Sequence, residues 1–208
     1  KRNLNNILYP YYRNRYPSSG VHYTNYNCLN FFTASHVPSD SCLVYPNKSD
    51  VYTPEKGFTL DFWINPRYDN FVQNTEFSAG TIFHMSSSIA VSLVSGSLTD
   101  ERNLVSDYKM LLQLSHSADI NPSNINLSDL NASSDLIFTS SFNLKKNHWH
   151  HVSVAWDPDV NNSSGSIRID DTVESFNIPS SSLFTRQNKI VCIGNYYDGI
   201  PDDAEKLF

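Results

Sequence analysis

The run from His151 to Asp157 constrains this chain more than any other. Val152, Val154 and Trp156 alternate with His151, Ser153 and Ala155. A period of two is that of a strand with one face buried. About ten residues on, Ser166–Ile169 leads into Asp170 and Asp171, and Thr172 to Ile178 alternates again. Upstream, Phe58 to Asn65 repeats the pattern. It places Phe58, Leu60, Phe62 and Ile64 on one face and Thr59, Asp61, Trp63 and Asn65 on the other. Pro66, which has no N–H to give to a ladder, stops the run.

The rest reads as further strands. Tyr26–Phe32 and Ser41–Tyr45 are apolar runs, the second following a turn at Pro38–Asp40. Thr81–Met85 and Ser88–Val94 form a hairpin across a serine turn. Lys109–Ser115, Leu136–Ser140 and Lys189–Asn195 complete the set. No segment shows sustained 3.6-residue periodicity. With 12 Tyr, 12 Phe and only 7 Gly, the chain suits polar-faced strands joined by Asn and Ser turns. Ser117 to Ser134 is polar and without period, which reads as a functional loop or an insertion.

Several functional classes fall away. The net charge of -6 offers no electrostatic footprint for nucleic acid. No apolar run approaches the length that spans a bilayer as a helix, so no membrane insertion is expected. Cys28, Cys42 and Cys192 lack C-x-x-C spacing, which speaks against a structural zinc site. Cys28 and Cys42 could pair in an oxidising compartment or stay as buried thiols; Cys192 reads as core. Residues 1–23 form a separate basic and aromatic arm. Lys1, Arg2, Arg13 and Arg15 interleave with Tyr9, Tyr11, Tyr12 and Tyr16, and no acid precedes Asp40. Such an arm would lie on the domain's own surface or on a neighbouring subunit; an ordinary linker is the alternative, and contact with nucleic acid is a minority reading beside the acidic body.

Candidate chemistry is sparse. Asp198, Asp202 and Asp203 belong to the densest acidic cluster, and calcium takes oxygen ligands from loops of this kind. They are the candidate metal ligands, with a solvated acidic loop as the alternative. His148 and His150 would share one face of a strand, a spacing that permits two metal ligands, but a structural role is the leading reading. Trp149 and Trp156 read as core and edge packing rather than a sugar-stacking platform. No G-x-S-x-G, H-E-x-x-H, P-loop or G-x-G-x-x-G motif is present. No catalytic residue is assigned, and no cofactor other than calcium is expected. Sequons at Asn47, Asn126, Asn131, Asn161 and Asn162 matter only on a eukaryotic secretory route.

Two segments carry a family resemblance. Leu29–Phe32, Ser41–Pro46 and Gly57–Pro66 are similar to an opening pattern "l-x-F-d-G … y-v-x-v-P … F-T-i-e-F-W-i-k-P". Trp149 to Ile178, followed by Lys189–Asn195, resembles the hairpin "W-H-H-V-x-V-x-W/Y-D … l-y-v-D-G" and the later strand "l-x-i-G". These are patterns of laminin G-like and pentraxin-like domains, of the concanavalin A-like superfamily. The resemblance covers roughly residues 24–198. It departs where Asp171 replaces the usual glycine, where Tyr196 and Tyr197 stand at calcium-ligand positions, and where the chain reaches Phe208 before the family's closing strand. It also lacks the E-x-D-x-E pattern of glycosidases in that superfamily, whose paired carboxylates must lie close together.

The resemblance implies an all-β fold, a two-sheet antiparallel jelly-roll sandwich over residues 24–208, preceded by the extended arm and incomplete at its C-terminal end. Missing strands are expected from downstream sequence or a neighbouring subunit. The implied function is a non-enzymatic recognition or adhesion module, extracellular, at a cell surface or on a virion. Its partners would be a glycan or protein surface and other subunits of a larger assembly. The alternatives are a structural virion subunit with no small ligand and, less favoured, a glycoside hydrolase.

Overall fold

In a computed structural model of the chain, strand alternation resolves into two antiparallel sheets. The structure describes residues 42–46, 57–66, 79–96, 106–126, 136–157, 164–178 and 190–194. The arm, the boundary at residue 23, Cys28, the acids Asp198, Asp202 and Asp203, and the chain beyond 194 lie outside the described residues.

Eleven strands are described: β1 (Cys42–Pro46), β2 (Phe58–Ile64), β3 (Ala79–Met85), β4 (Ile89–Ser95), β5 (Asp107–Leu114), β6 (Ile137–Thr139), β7 (Leu144–Lys145), β8 (His150–Asp157), β9 (Ser164–Ile169), β10 (Thr172–Asn177) and β11 (Ile190–Gly194). One sheet runs β1-β11-β3-β4-β5-β6, with β7 pairing the other end of β5. The second runs β10-β9-β8-β2. Among the described residues there is no α-helix.

A single core lies between the sheets, so the architecture is a β-sandwich. Ile89, Val91 and Leu93 of β4 and Met110, Leu112 and Leu114 of β5 meet Val152, Val154 and Trp156 of β8 and Ile167 and Ile169 of β9. Phe58, Leu60, Phe62 and Ile64 pack against this cluster while remaining only partly buried. The inward and outward faces of β2 and β8 are those that alternation assigns. Across the sheets, Phe176 of β10 stacks on Phe138 of β6 at 4.3 Å. Gly165, opposite Phe176 in the β9–β10 register, makes room for that ring, because a Cβ there would run into it. Cys192 is fully buried on β11, as its apolar run implies.

Two features depart from simple alternation. A bulge interrupts β3, where Thr81 pairs Ser92 but Phe83 pairs Val91. Strict alternation in Thr81–Met85 would separate Ile82 from Phe83. The bulge lets both pack on the core and turns His84 to the back of the sheet. That back face is also buried. Ala90, Ser92, Leu111 and Gln113 are inaccessible to solvent. Val94, Leu111 and Ile137 form a second apolar cluster there, with Ile125 packed against it.

Ile125 belongs to the polar stretch that carried no period. Its first part is ordered cover, with 3-10 turns at Ser115–Asp119 and Pro122–Asn124. Gln113 holds this cover by donating from Nε2 to Ser117 O at 2.7 Å and Ile120 O at 2.8 Å. Backbone carbonyls need partners when buried, and a glutamine reaching up from the sheet supplies them.

Candidate functional site

The outward face of the β10-β9-β8-β2 sheet holds the most unusual surface residue. Trp63 is 66% exposed, although it sits inside a regular strand. The β2–β8 register sets it opposite His151, with Asp61 opposite Ser153. The His151 ring leans against the indole, centroids 5.1 Å apart and planes tilted by 39°. His151 Nε2–H donates to Asp61 Oδ1 at 2.8 Å. An ionised carboxylate only accepts, so this bond fixes which nitrogen carries the proton. The three side chains thus brace one another across two strands, and Asp61 remains 57% exposed.

Around them the floor is low and polar. Ser153 and Ala155 of β8 pair with Arg168 and Ser166 of β9, which pair in turn with Val173 and Ser175 of β10. Arg168 lies two strands from Asp61, about 10 Å at the usual strand spacing. Its Nε donates to Asp170 O at 2.9 Å, which holds the guanidinium near the β9–β10 turn. At the other side Trp149, just ahead of β8, is 41% exposed. It immediately precedes the inward-facing His150, the first residue of β8. Two of the three tryptophans are therefore exposed, while Trp156 packs in the core at 3% exposure. The expectation of core packing holds for Trp156; Trp149 presents its ring to solvent.

The histidines around β8 divide by role. His150 is buried, and both ring nitrogens are engaged. Nδ1–H donates to Asp170 Oδ2 at 2.7 Å, and Nε2 accepts from Lys145 N–H at 2.9 Å. Since Lys145 belongs to β7 of the other sheet, this imidazole ties the sheets together. His148 lies in the preceding turn, where Nδ1 bonds Lys146 O at 2.9 Å. The two therefore do not form a ligand pair, and the structural reading of this cluster stands.

The departure from Asp-Gly falls on Asp171, which does not take the left-handed conformation that favours glycine; Asp170 before it does, with φ 53°, at the first turn position. Aspartate tolerates that region better than most residues because its short side chain bonds locally. Its carboxylate accepts from His150 and from His151 N–H at 2.9 Å. Partial burial pushes its pKa up. The bonds from His150 and His151 and the proximity of both imidazoles outweigh that, holding it below the usual carboxylate value.

A second constellation joins Asp119, His84 and Ser87. Asp119 accepts from His84 Nε2 at 3.2 Å, Ser87 N–H at 2.9 Å and Ser87 Oγ–H at 2.9 Å. Burial works against its charge, but these bonds win and pull its pKa down to about 2. A nucleophilic serine needs its hydroxyl on an imidazole base. Ser87 donates to the carboxylate instead, so the group acts as a clamp that seats the cover over the β3–β4 turn. Among the described residues no three His, Cys, Asp or Glu side chains converge on a metal-holding arrangement. The sequence-predicted metal ligands Asp198, Asp202 and Asp203 are outside those residues.

Alternation alone turns Trp63 and Asp61 outward. Their joint work with His151 needed the pairing of strands about ninety residues apart in sequence. Among known proteins, no family model and no curated protein matches this chain.

Proposed function

We propose that the chain is a laminin G-like, jelly-roll recognition module that binds a glycan on the outward face of the β10-β9-β8-β2 sheet, without catalysing a reaction. It would work at a cell surface, in an extracellular assembly or on a virion, alongside other subunits. The observation that carries this reading is the exposure of Trp63 from the middle of a braced, regular strand. A tryptophan combines a large rigid apolar face with a polar N–H, which suits a surface that meets a partner. A sugar presents C–H groups that stack on an indole face and hydroxyls that bond carboxylates and serines. Trp63, Asp61 and the serine floor supply both. A protein partner would favour a more continuous apolar centre than Trp63, Trp149, Ala155 and Val173, set among serines and charged groups, provide.

The test is a glycan array probed with the wild-type chain and with Trp63→Ala. Binding to a defined subset of glycans, lost in the variant while its melting temperature stays within about 2–4 °C, supports the reading. Equal binding by both proteins, or none by the wild type, overturns it.

A further inference from the structure

Resting on that reading, we infer that this face takes an uncharged oligosaccharide of at least two pyranose rings, one on Trp63 and the next on Trp149. His151 stands opposite Trp63 in the β2–β8 register, and the 41% exposed Trp149 lies two residues before it, which is the diagonal position if β8 is extended by one residue. Diagonal neighbours on adjacent antiparallel strands stand about 7–8 Å apart, a span that consecutive sugar rings can bridge. His151 lies between them in the same column of β8 and holds Asp61 Oδ1, leaving Oδ2 to accept from a ring hydroxyl. Among the described residues of the neighbouring strands, Ser153, Ala155, Ser166 and Ser175 are small and raise no wall beside the pair. An extended chain can therefore enter from either end, as it could not in a closed pocket.

The charges select against acidic sugars. The strands of this face contribute Asp61 and Asp157 against Arg168, and the β9–β10 turn adds Asp170 and Asp171. Arg168 is drawn toward that turn by its bond to Asp170 O. A uronate or sialate on Trp63 would meet the Asp61 carboxylate at short range on a chain of net charge -6. Like charges placed so are repelled.

The experiment follows the three indole N–H signals of the isotopically labelled chain by NMR. The probes are β-1,4-linked gluco-, manno-, xylo- and N-acetylglucosamine series from one to four rings, with tetragalacturonate as the acidic arm. The inference expects the Trp63 and Trp149 signals to move together with at least one neutral tetrasaccharide, the buried Trp156 signal serving as the internal control. Affinity should rise about tenfold or more between one ring and two, and Trp149→Ala should abolish that increment. Tetragalacturonate should move neither signal. If Trp63 responds but Trp149 does not, if length has no effect, or if the acidic tetramer binds as well, the inference fails while the recognition reading survives. If no saccharide moves Trp63, both fail.

Discussion

Removing the Asp170 carboxylate is the sharpest test of how this sandwich is held together. Three bonds tie that residue to β8, beside the one its carbonyl accepts from Arg168. Its side chain accepts from His150 Nδ1–H and His151 N–H, and its own N–H donates to His151 O at 2.8 Å. Asp170→Gly keeps the left-handed backbone comfortable but strands the buried His150. With no acceptor at Nδ1, the imidazole either leaves a donor unpaired or changes tautomer and deprives Lys145 N–H of its acceptor. Either way one buried polar group loses its partner, at about 1–3 kcal/mol, and the partly exposed His151 N–H adds about 0.5 kcal/mol. The Gly variant should therefore lose about 1.5–3.5 kcal/mol. Asp170→Ala adds about 1 kcal/mol for a Cβ in the left-handed region. Asp170→Asn keeps an acceptor and tolerates that region, so it should lose least. Urea unfolding followed through Trp156 fluorescence reads the series, with the m-value unchanged. The sign with pH follows from the lowered pKa of the folded state. The wild-type advantage over Asn is fully present above the ordinary carboxylate value and is lost as pH falls through the lowered one. A Gly variant within about 0.5 kcal/mol of wild type, as for an ordinary surface change, would refute the reasoning.

Three further outcomes follow from the core and the cover. Gly165→Ala forces a methyl into the Phe176 ring and disturbs its stack on Phe138, and should cost about 1–3 kcal/mol by calorimetry. Gln113→Ala releases two carbonyls of the cover and should cost about 2 kcal/mol, with faster amide exchange confined to residues 115–126. Asp119→Asn should destabilise the protein at neutral pH. The deficit is present above the ordinary carboxylate range and disappears as pH falls toward about 2, where the wild-type carboxylate also protonates.

Sequence alone determined which way the strand side chains point wherever one face is buried and the other wet. Phe58, Leu60, Phe62 and Ile64 turn inward, and Val152, Val154 and Trp156 do the same, because a period of two projects directly onto the two faces of a pleat. Two antiparallel sheets over one core are what the family resemblance implies and what the structure shows. The tertiary structure decided what alternation has no means to encode. Thr81–Met85 reads as regular, yet a bulge sends His84 to a face that a loop then covers. That loop has no period because it is pinned by single bonds from Gln113 and Asp119 rather than by a repeating apolar face. His150 could have been a ligand or a strut; the choice fell to Asp170 and to Lys145 of the opposite sheet, neither adjacent to it in sequence. Trp63 faces outward by alternation, but a residue that faces outward becomes a site only when long-range pairing brings His151 and Asp61 beside it. Periodicity is a local property of the chain, whereas partner choice depends on contacts between segments far apart in sequence, and a single sequence records the first far more directly than the second.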